Sequence, residues 1–113
     1  MRSPFPPEAH ERGAVTAELA VVLPAVLLVL AGCLGALRLG VEQARVDAAA
    51  AVVARSIARG DPPGTAVARG TAAGAASVVV DHRAGLVCAS AETSSPVLGL
   101  PLRVTGTSCA LEP

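Results

Sequence analysis

Few residues in this chain of 113 have the type and spacing that chemistry requires. The candidates are one carboxylate at the start of an apolar run (Glu18), three cysteines, and the histidines His10 and His82. A catalytic or metal site needs several such groups close together. Neither histidine has a nucleophile or a second metal ligand at useful spacing, and no glycine-rich phosphate loop is present. We therefore expect no enzymatic activity, no cofactor and no metal.

The composition excludes further classes of protein. Nine basic residues balance nine acidic ones, so the chain is not a strongly basic nucleic-acid binder. Phe5 is the one aromatic residue, which leaves no platform on which single-stranded bases could stack. We expect no nucleic-acid partner.

An apolar run occupies residues 19–37, LAVVLPAVLLVLAGCLGAL, and carries no charge. As a helix it spans about 28 Å, close to the hydrocarbon thickness of a bilayer. Its leucines and valines favour insertion by roughly 3 to 7 kcal/mol in total. The sequence predicts a transmembrane helix over residues 14–37. A buried helix of a soluble protein is the alternative, but the rest of the chain is small for wrapping such a helix.

A short polar segment precedes the run. Residues 1–13, MRSPFPPEAHERG, contain three prolines that disfavour a helix, and we expect a non-helical leader that ends at Gly13. Four small or apolar residues, beginning with Ala14, then lead to Glu18. A carboxylate at the edge of an apolar helix is costly and calls for a partner.

The stretch ERGAVTAELAVVLPAVLLVL resembles the TadE family of minor pilins or pseudopilins of tight-adherence, Flp-type (type IVb-like) pili. In that family a prepilin peptidase cleaves after the glycine, and the glutamate is the fifth residue of the mature chain. The resemblance implies cleavage between Gly13 and Ala14, with Glu18 as that fifth residue. Leu19 stands where major pilins usually carry an aromatic residue, which fits a minor subunit.

The resemblance also implies partners and a location. The partners are the prepilin peptidase, the major pilin and other minor pilins, the assembly platform with its ATPase, and the lipid bilayer. Arginines flank the run on both sides and do not set its orientation. The family implies a cytoplasmic N-terminus, an exported C-terminal domain and, after processing, a place in an extracellular pilus.

Cleavage would free the amine of Ala14, which could pair with Glu18 of a neighbouring subunit and set axial register. The alternative is an ordinary glutamate at the water boundary. A rival signal lies at residues 30–33, LAGC, which match a bacterial lipobox in which Cys33 is lipidated. The apolar pattern continues past Cys33, whereas a lipoprotein normally turns polar there. An unprocessed single-pass anchor is the third possibility.

Residues 38–60 are predicted to continue as an amphipathic helical stem, with Val46, Ala50, Val53 and Ile57 on one face. Residues 61–113 are predicted to form a small exported head. A short helix is expected over residues 65–76 with Thr65 as its N-cap. Strands follow over residues 78–80, 86–92 and 102–111, with a turn at 81–85 and a loop at 93–101. The fold class is therefore α+β and pilin-like, with a three-stranded antiparallel sheet packed on the stem.

Cys88 and Cys109 fall on neighbouring strands, each on a polar face. Their spacing does not suit a metal site, which needs four ligands in close pairs. They form either a disulfide, worth about 3 kcal/mol in an exported domain, or two free buried thiols.

Overall fold

The computed structural model describes the backbone of residues 8–113 and the side chains from residue 12. The leader prolines Pro4, Pro6 and Pro7 lie outside the described residues. Two helices precede a three-stranded sheet, and this α+β arrangement confirms the predicted class. The elements are α1 (Glu8–Ala58), α2 (Pro63–Ala72), β1 (Ser77–Arg83), β2 (Leu86–Val97) and β3 (Leu100–Leu111).

The chain divides into two compact units, residues 1–34 and 35–113. In the first unit, α1 is long and apolar enough to cross a membrane, and none of its most apolar window is buried. Val21 is 72% exposed and Leu28 75% exposed. These exposed fractions contradict the alternative of a core helix in a soluble protein. Pro24 lies inside the helix without ending it.

The prediction that the leader is non-helical is wrong for residues 8–13, which belong to α1. All three leader prolines precede Glu8 in the sequence. Proline is compatible with the start of a helix, where no intrahelical donor is needed, and it breaks only a helix interior. The prolines therefore do not prevent a helix that begins at Glu8.

Both helices of the second unit end in the same way, at a glycine with positive φ. Gly60 has φ 90° and Gly74 has φ 113°. The amide of Asp61 donates to the carbonyl of Ser56, and the amide of Ala75 donates to that of Gly70. These bonds are those of a Schellman motif, which satisfies the last carbonyls of a helix.

The bounds of α2 correct the prediction of residues 65–76. The helix begins at Pro63, no side chain caps it, and Thr65 lies inside its first turn. Proline at the first helical position has a φ that suits a helix. The amide hydrogen that it lacks would have no intrahelical partner there. The helix ends at Ala72 because Gly74 forms the C-terminal motif.

The sheet is antiparallel in the order β1-β2-β3, and its strands are longer than predicted. The expected turn at residues 81–85 shortens to Ala84-Gly85, and the expected loop at 93–101 shortens to Leu98-Gly99. All four turn residues have φ between 47° and 79°. This is the geometry of two-residue turns that match the twist of paired strands.

Two prolines lie inside the longer hairpin without weakening it. Pro96 is paired directly with Pro101. Counting from the two-residue turn, Pro96 and Pro101 form a non-hydrogen-bonded pair. In such a pair the backbone N–H groups point away from the opposite strand, so the hydrogens that proline lacks would not bond within the hairpin. On that outer side, β1 pairs with β2 only as far as Glu92, and β3 has no further neighbour. Neither proline therefore removes a ladder hydrogen bond.

The core is built from small residues. As the spacing predicts, Val46, Ala50 and Val53 of α1 are fully buried. Ala89 and Ala91 of β2 face them from the sheet. A Cβ on Gly106 would lie 2.8 Å from the backbone nitrogen of Asp47, and one on Gly70 would lie 2.5 Å from Cγ2 of Val53. Helices and sheet therefore pack closely because these positions carry little or no side chain.

Candidate functional site

The residues of the predicted processing site follow one another along α1. The bond between Gly13 and Ala14 lies inside the helix, one turn before Glu18. The hydroxyl of Thr16 donates to the carbonyl of Arg12 over 2.8 Å. Glycine lowers helix stability by about 1 kcal/mol relative to alanine, so Gly13 is a weak point in this turn.

The side chain of Glu18 is exposed. Within residues 12–113 it makes no ion pair. Glu18 lies four positions after Ala14, an axial rise of about 6 Å. The structure therefore presents Glu18 as an exposed carboxylate at the N-terminal edge of the apolar run, with no ion-pair partner among residues 12–113.

Cys33 lies in the same helix and is exposed, with a free thiol. The helix continues through Cys33 without interruption as far as Ala58. Cys33 belongs to the first unit, whereas Cys88 and Cys109 belong to the second.

A disulfide joins Cys88 of β2 to Cys109 of β3. The two residues lie directly opposite each other, and their Cα atoms are 4.0 Å apart. Counting from the turn, they form a non-hydrogen-bonded pair, the kind in which opposite side chains approach most closely. The strand alternation that the sequence predicts brings them to one face.

The face of the sheet that carries the disulfide is polar. The hydroxyls of Ser90 and Thr107 are 3.2 Å apart, and Arg103 forms an ion pair with Glu92 at 2.9 Å. The opposite face packs on α1 through alanine and valine. The disulfide thus lies outside the apolar core and links the two longest strands.

A polar cluster that the sequence did not predict lies at the connection between α1 and α2. Ser56 is fully buried and its hydroxyl accepts a hydrogen bond from Arg69 over 3.1 Å. The same guanidinium pairs with Asp61 at 2.5 Å. The spacing of 13 residues between Ser56 and Arg69 has no signature in the sequence, because it depends on how the helices fold back. The cluster fixes α2 to the end of the stem.

The turn between β1 and β2 carries a second group of charges. Asp81 pairs with Arg83, and Nδ1 of His82 lies 2.7 Å from the carboxylate of Glu112. The hydrogen bond from Arg83 is the main cause that holds the pKa of Asp81 below its usual value. All four side chains are substantially exposed. The strand prediction missed Asp81, His82 and Arg83, because an aspartate followed by Gly85 favours a turn.

The geometry offers no reaction centre in the part of the chain that the structure describes. No group of three or more histidine, cysteine or acidic residues there could hold a metal ion. A shallow concavity of about 380 Å³ lies along the apolar part of α1, and no polar side chain lines it. What the arrangement does offer is an uncovered apolar helix, one carboxylate near its start and a crosslinked head.

The chain was compared with models of protein families, with curated proteins and with solved structures, and none matched it.

Proposed function

We propose that this chain is a single-pass, pilin-like subunit that acts through assembly. It is similar to the TadE-family minor pilins or pseudopilins of tight-adherence pili. The observation that carries the proposal is the first half of α1, whose large apolar side chains are uncovered although the second half has a packed face. An uncovered helix of this length is stable in a bilayer, or among the helices of other subunits.

The leader and the apolar helix would first hold the chain in the membrane, with the head exported. A prepilin peptidase would then cut between Gly13 and Ala14. Because this bond lies within a helical turn, the peptidase must unwind that turn before it can bind the backbone. The low helix propensity of Gly13 lowers the cost of unwinding.

Cleavage gives the helix a new amine at Ala14, which pairs with Glu18 of a neighbouring subunit. A neighbour displaced by about 6 Å along the helix axis brings its amine level with the carboxylate. Two unit charges 4 Å apart attract by about 4 kcal/mol at an effective dielectric constant of 20. Each unpaired charge costs roughly 2.5 to 3.5 kcal/mol at the centre of a membrane helix and less near its edge, so the attraction offsets much of the cost of burying the two charges. The pair would therefore favour one axial register during assembly.

The partners that follow are the prepilin peptidase, the major pilin and other minor pilins, and the assembly platform with its ATPase. The subunit itself would have no enzymatic role. Its head stays folded outside the cell membrane, where an oxidising environment preserves the Cys88–Cys109 disulfide.

The test is mass spectrometry of the mature N-terminus after co-expression with a prepilin peptidase. The expected product begins at Ala14, and an inactive peptidase should leave the chain at full length. A lipidated N-terminal Cys33 would show a lipoprotein instead, and an intact leader alongside normal pili would show an unprocessed anchor. Either result contradicts the proposal.

The register role of Glu18 is tested by the variant Glu18→Ala. We expect it to be processed normally but to be lost from filaments purified from cells that express the whole assembly system. Glu42→Ala is the matched control, because Glu42 lies in the stem and should enter filaments as the wild type does. Equal incorporation of the two variants would show that Glu18 has no register role.

A further inference from the structure

The two ends of the sheet differ in polarity. The end at the Ala84-Gly85 turn carries Asp81, His82, Arg83 and Glu112. The other end is the tip of the β2–β3 hairpin, residues 93–102, whose sequence TSSPVLGLPL has no charged residue. Leu98 is 78% exposed there and Leu100 66% exposed. Water is a poor solvent for such an uncovered apolar tip.

The tip lies beside the first residues of the second unit, which are also the last residues of the apolar run. A Cβ on Gly35 would be 3.3 Å from Cγ1 of Val97, so these two residues are neighbours. Gly35 is inside the apolar run, and the first charge after it is the exposed Arg38. Further along the hairpin, the carbonyl of Thr105 accepts a hydrogen bond from Gln43. Within the second unit, the hairpin therefore runs beside residues 35–43 of α1, and its tip lies next to Gly35.

The turn residue itself is unusual. Leu98 has φ 50°, a left-handed conformation that favours glycine or asparagine over a large apolar residue. The other two-residue turn has the small Ala84 at the equivalent position. A strained leucine that stays exposed gains nothing from packing within this chain, which points to a role at a surface outside it.

We propose that the hairpin tip, residues 97–102, dips into the surface of the lipid bilayer beside the transmembrane helix. Leu98 and Leu100 enter the region between headgroups and acyl chains, while Arg38 lies among the headgroups. The inference rests on the membrane span of the proposed function. It adds a second membrane contact, made by the head, which holds the subunit against the bilayer until assembly.

The test uses fluorescence, because the chain contains no tryptophan and no tyrosine. The full chain with Leu98→Trp is reconstituted into vesicles of phosphatidylcholine and phosphatidylglycerol, three to one. Part of the phosphatidylcholine is brominated in the upper acyl chain, which quenches nearby indole rings. We expect blue-shifted emission that the brominated lipid strongly quenches. Leu100→Trp repeats the measurement at a position outside the strained turn.

The matched control is Leu111→Trp, since Leu111 is also 78% exposed but ends β3 at the charged end of the sheet. It should emit as in water and escape quenching. Equal quenching at residues 98 and 111, or none at either, overturns the proposal. Blue-shifted emission that resists brominated lipid and is lost when the protein is diluted in lipid would show that a second copy covers the tip, which also overturns it.

A third variant, Leu27→Trp, separates failure of this inference from failure of the proposed function. Leu27 lies within the apolar run and should be quenched by lipid brominated deep in the acyl chain. Quenching at residue 27 without quenching at residue 98 refutes only the tip contact. Absence of quenching at residue 27 refutes the membrane span, and the tip contact with it.

Discussion

Both halves of α1 are built largely from apolar residues, but the first half is uncovered and the second half has a packed face. Residues 19–37 and the stem that follows are both rich in alanine and valine. In the first half, the large apolar side chains are between 49% and 75% exposed. In the second half, Val46 and Val53 have no exposed surface. One continuous helix therefore changes from an uncovered to a packed surface along its length.

The difference comes from side-chain size and from where charges begin. Leucine and valine surround the helix in the apolar run, which suits lipid or other helices on every side. In the stem, alanine forms a narrow stripe at residues 49, 50 and 54, and charged residues occupy the remaining faces. A stripe of alanine lets the sheet approach closely, which compensates for the absence of aromatic anchors.

The largest expected effect on this contrast comes from the cysteines. The double variant Cys88→Ser with Cys109→Ser removes the crosslink and should lower the free energy of opening the sheet by about 3 kcal/mol. Hydrogen exchange of the β2 and β3 amides in the full chain, in micelles, measures this loss. Cys33→Ser changes the exposed cysteine of the apolar half and should leave sheet exchange unaltered. Equal exchange rates in the double variant and the wild type would show that the crosslink does not stabilise the head.

Substituting a glycine at the contact between helix and sheet gives the next largest effect on stability. In Gly106→Ala the new methyl group meets the backbone of α1 at Val46 and Asp47, within 3 Å of atoms that cannot rotate away. Helix and sheet must separate, at a cost of about 2 to 3 kcal/mol in the same exchange measurement. Gly32→Ala is the control, because nothing lies within 4 Å of its added Cβ. A variant at residue 106 that exchanges like the wild type would show that helix and sheet are not closely packed.

Substituting one valine in each half of α1 compares the two halves directly. Val53→Ala opens a cavity in the core and should reduce sheet protection by about 2 kcal/mol. Val29→Ala removes the same atoms from a side chain that is 65% exposed. It should leave sheet protection unchanged and weaken membrane insertion slightly, as measured by partition into vesicles. Equal loss of sheet protection in both variants would show that the two halves of α1 do not differ in how they pack.

Much of this fold follows from patterns in the sequence. The apolar run gives a long helix, helical spacing gives the buried face of the stem, and alternation along the strands places Cys88 and Cys109 on polar faces. These patterns repeat over many residues, so tertiary contacts reinforce them. The end of the stem at Gly60 has the same basis, because glycine accepts the required φ easily. The helix predicted over residues 65–76 extends past Gly74, which has the same geometry and ends α2 earlier.

The errors occur where a single residue type suggests a local break. The prolines Pro96 and Pro101 suggested a loop, but the missing amides face away from the hairpin, which depends on register and cannot be read locally. Thr65 suggested a cap, but Pro63 begins the helix. At the candidate site, Gly13 and Glu18 are placed by the helix, whereas the partner proposed for Glu18 is an amine of another chain. The close approach at Gly106 also has no local signal.

The smallest expected effect lies at the charged end of the sheet. Because Arg83 holds the pKa of Asp81 below its usual value, the ionised carboxylate favours the folded state. This contribution is present above the unfolded pKa, near pH 4, and is lost as pH falls through the lower folded pKa. Water and salt screen the exposed pair, so the change in stability should be slight.

Carboxyl NMR of the full chain measures this titration directly. In the wild type the midpoint of Asp81 should lie below that of an unstructured aspartate, and Arg83→Gln should raise it toward the ordinary value. Arg55→Gln is the control, since Arg55 lies on α1 and forms no ion pair within residues 12–113. A midpoint that Arg83→Gln leaves unmoved would mean that the β1 charges do not interact in solution. The exposed charges of β1 would then add nothing to the head, which its small-residue core, its disulfide and the Ser56–Asp61–Arg69 cluster stabilise. Its contrast with the uncovered half of α1 would be sharper still.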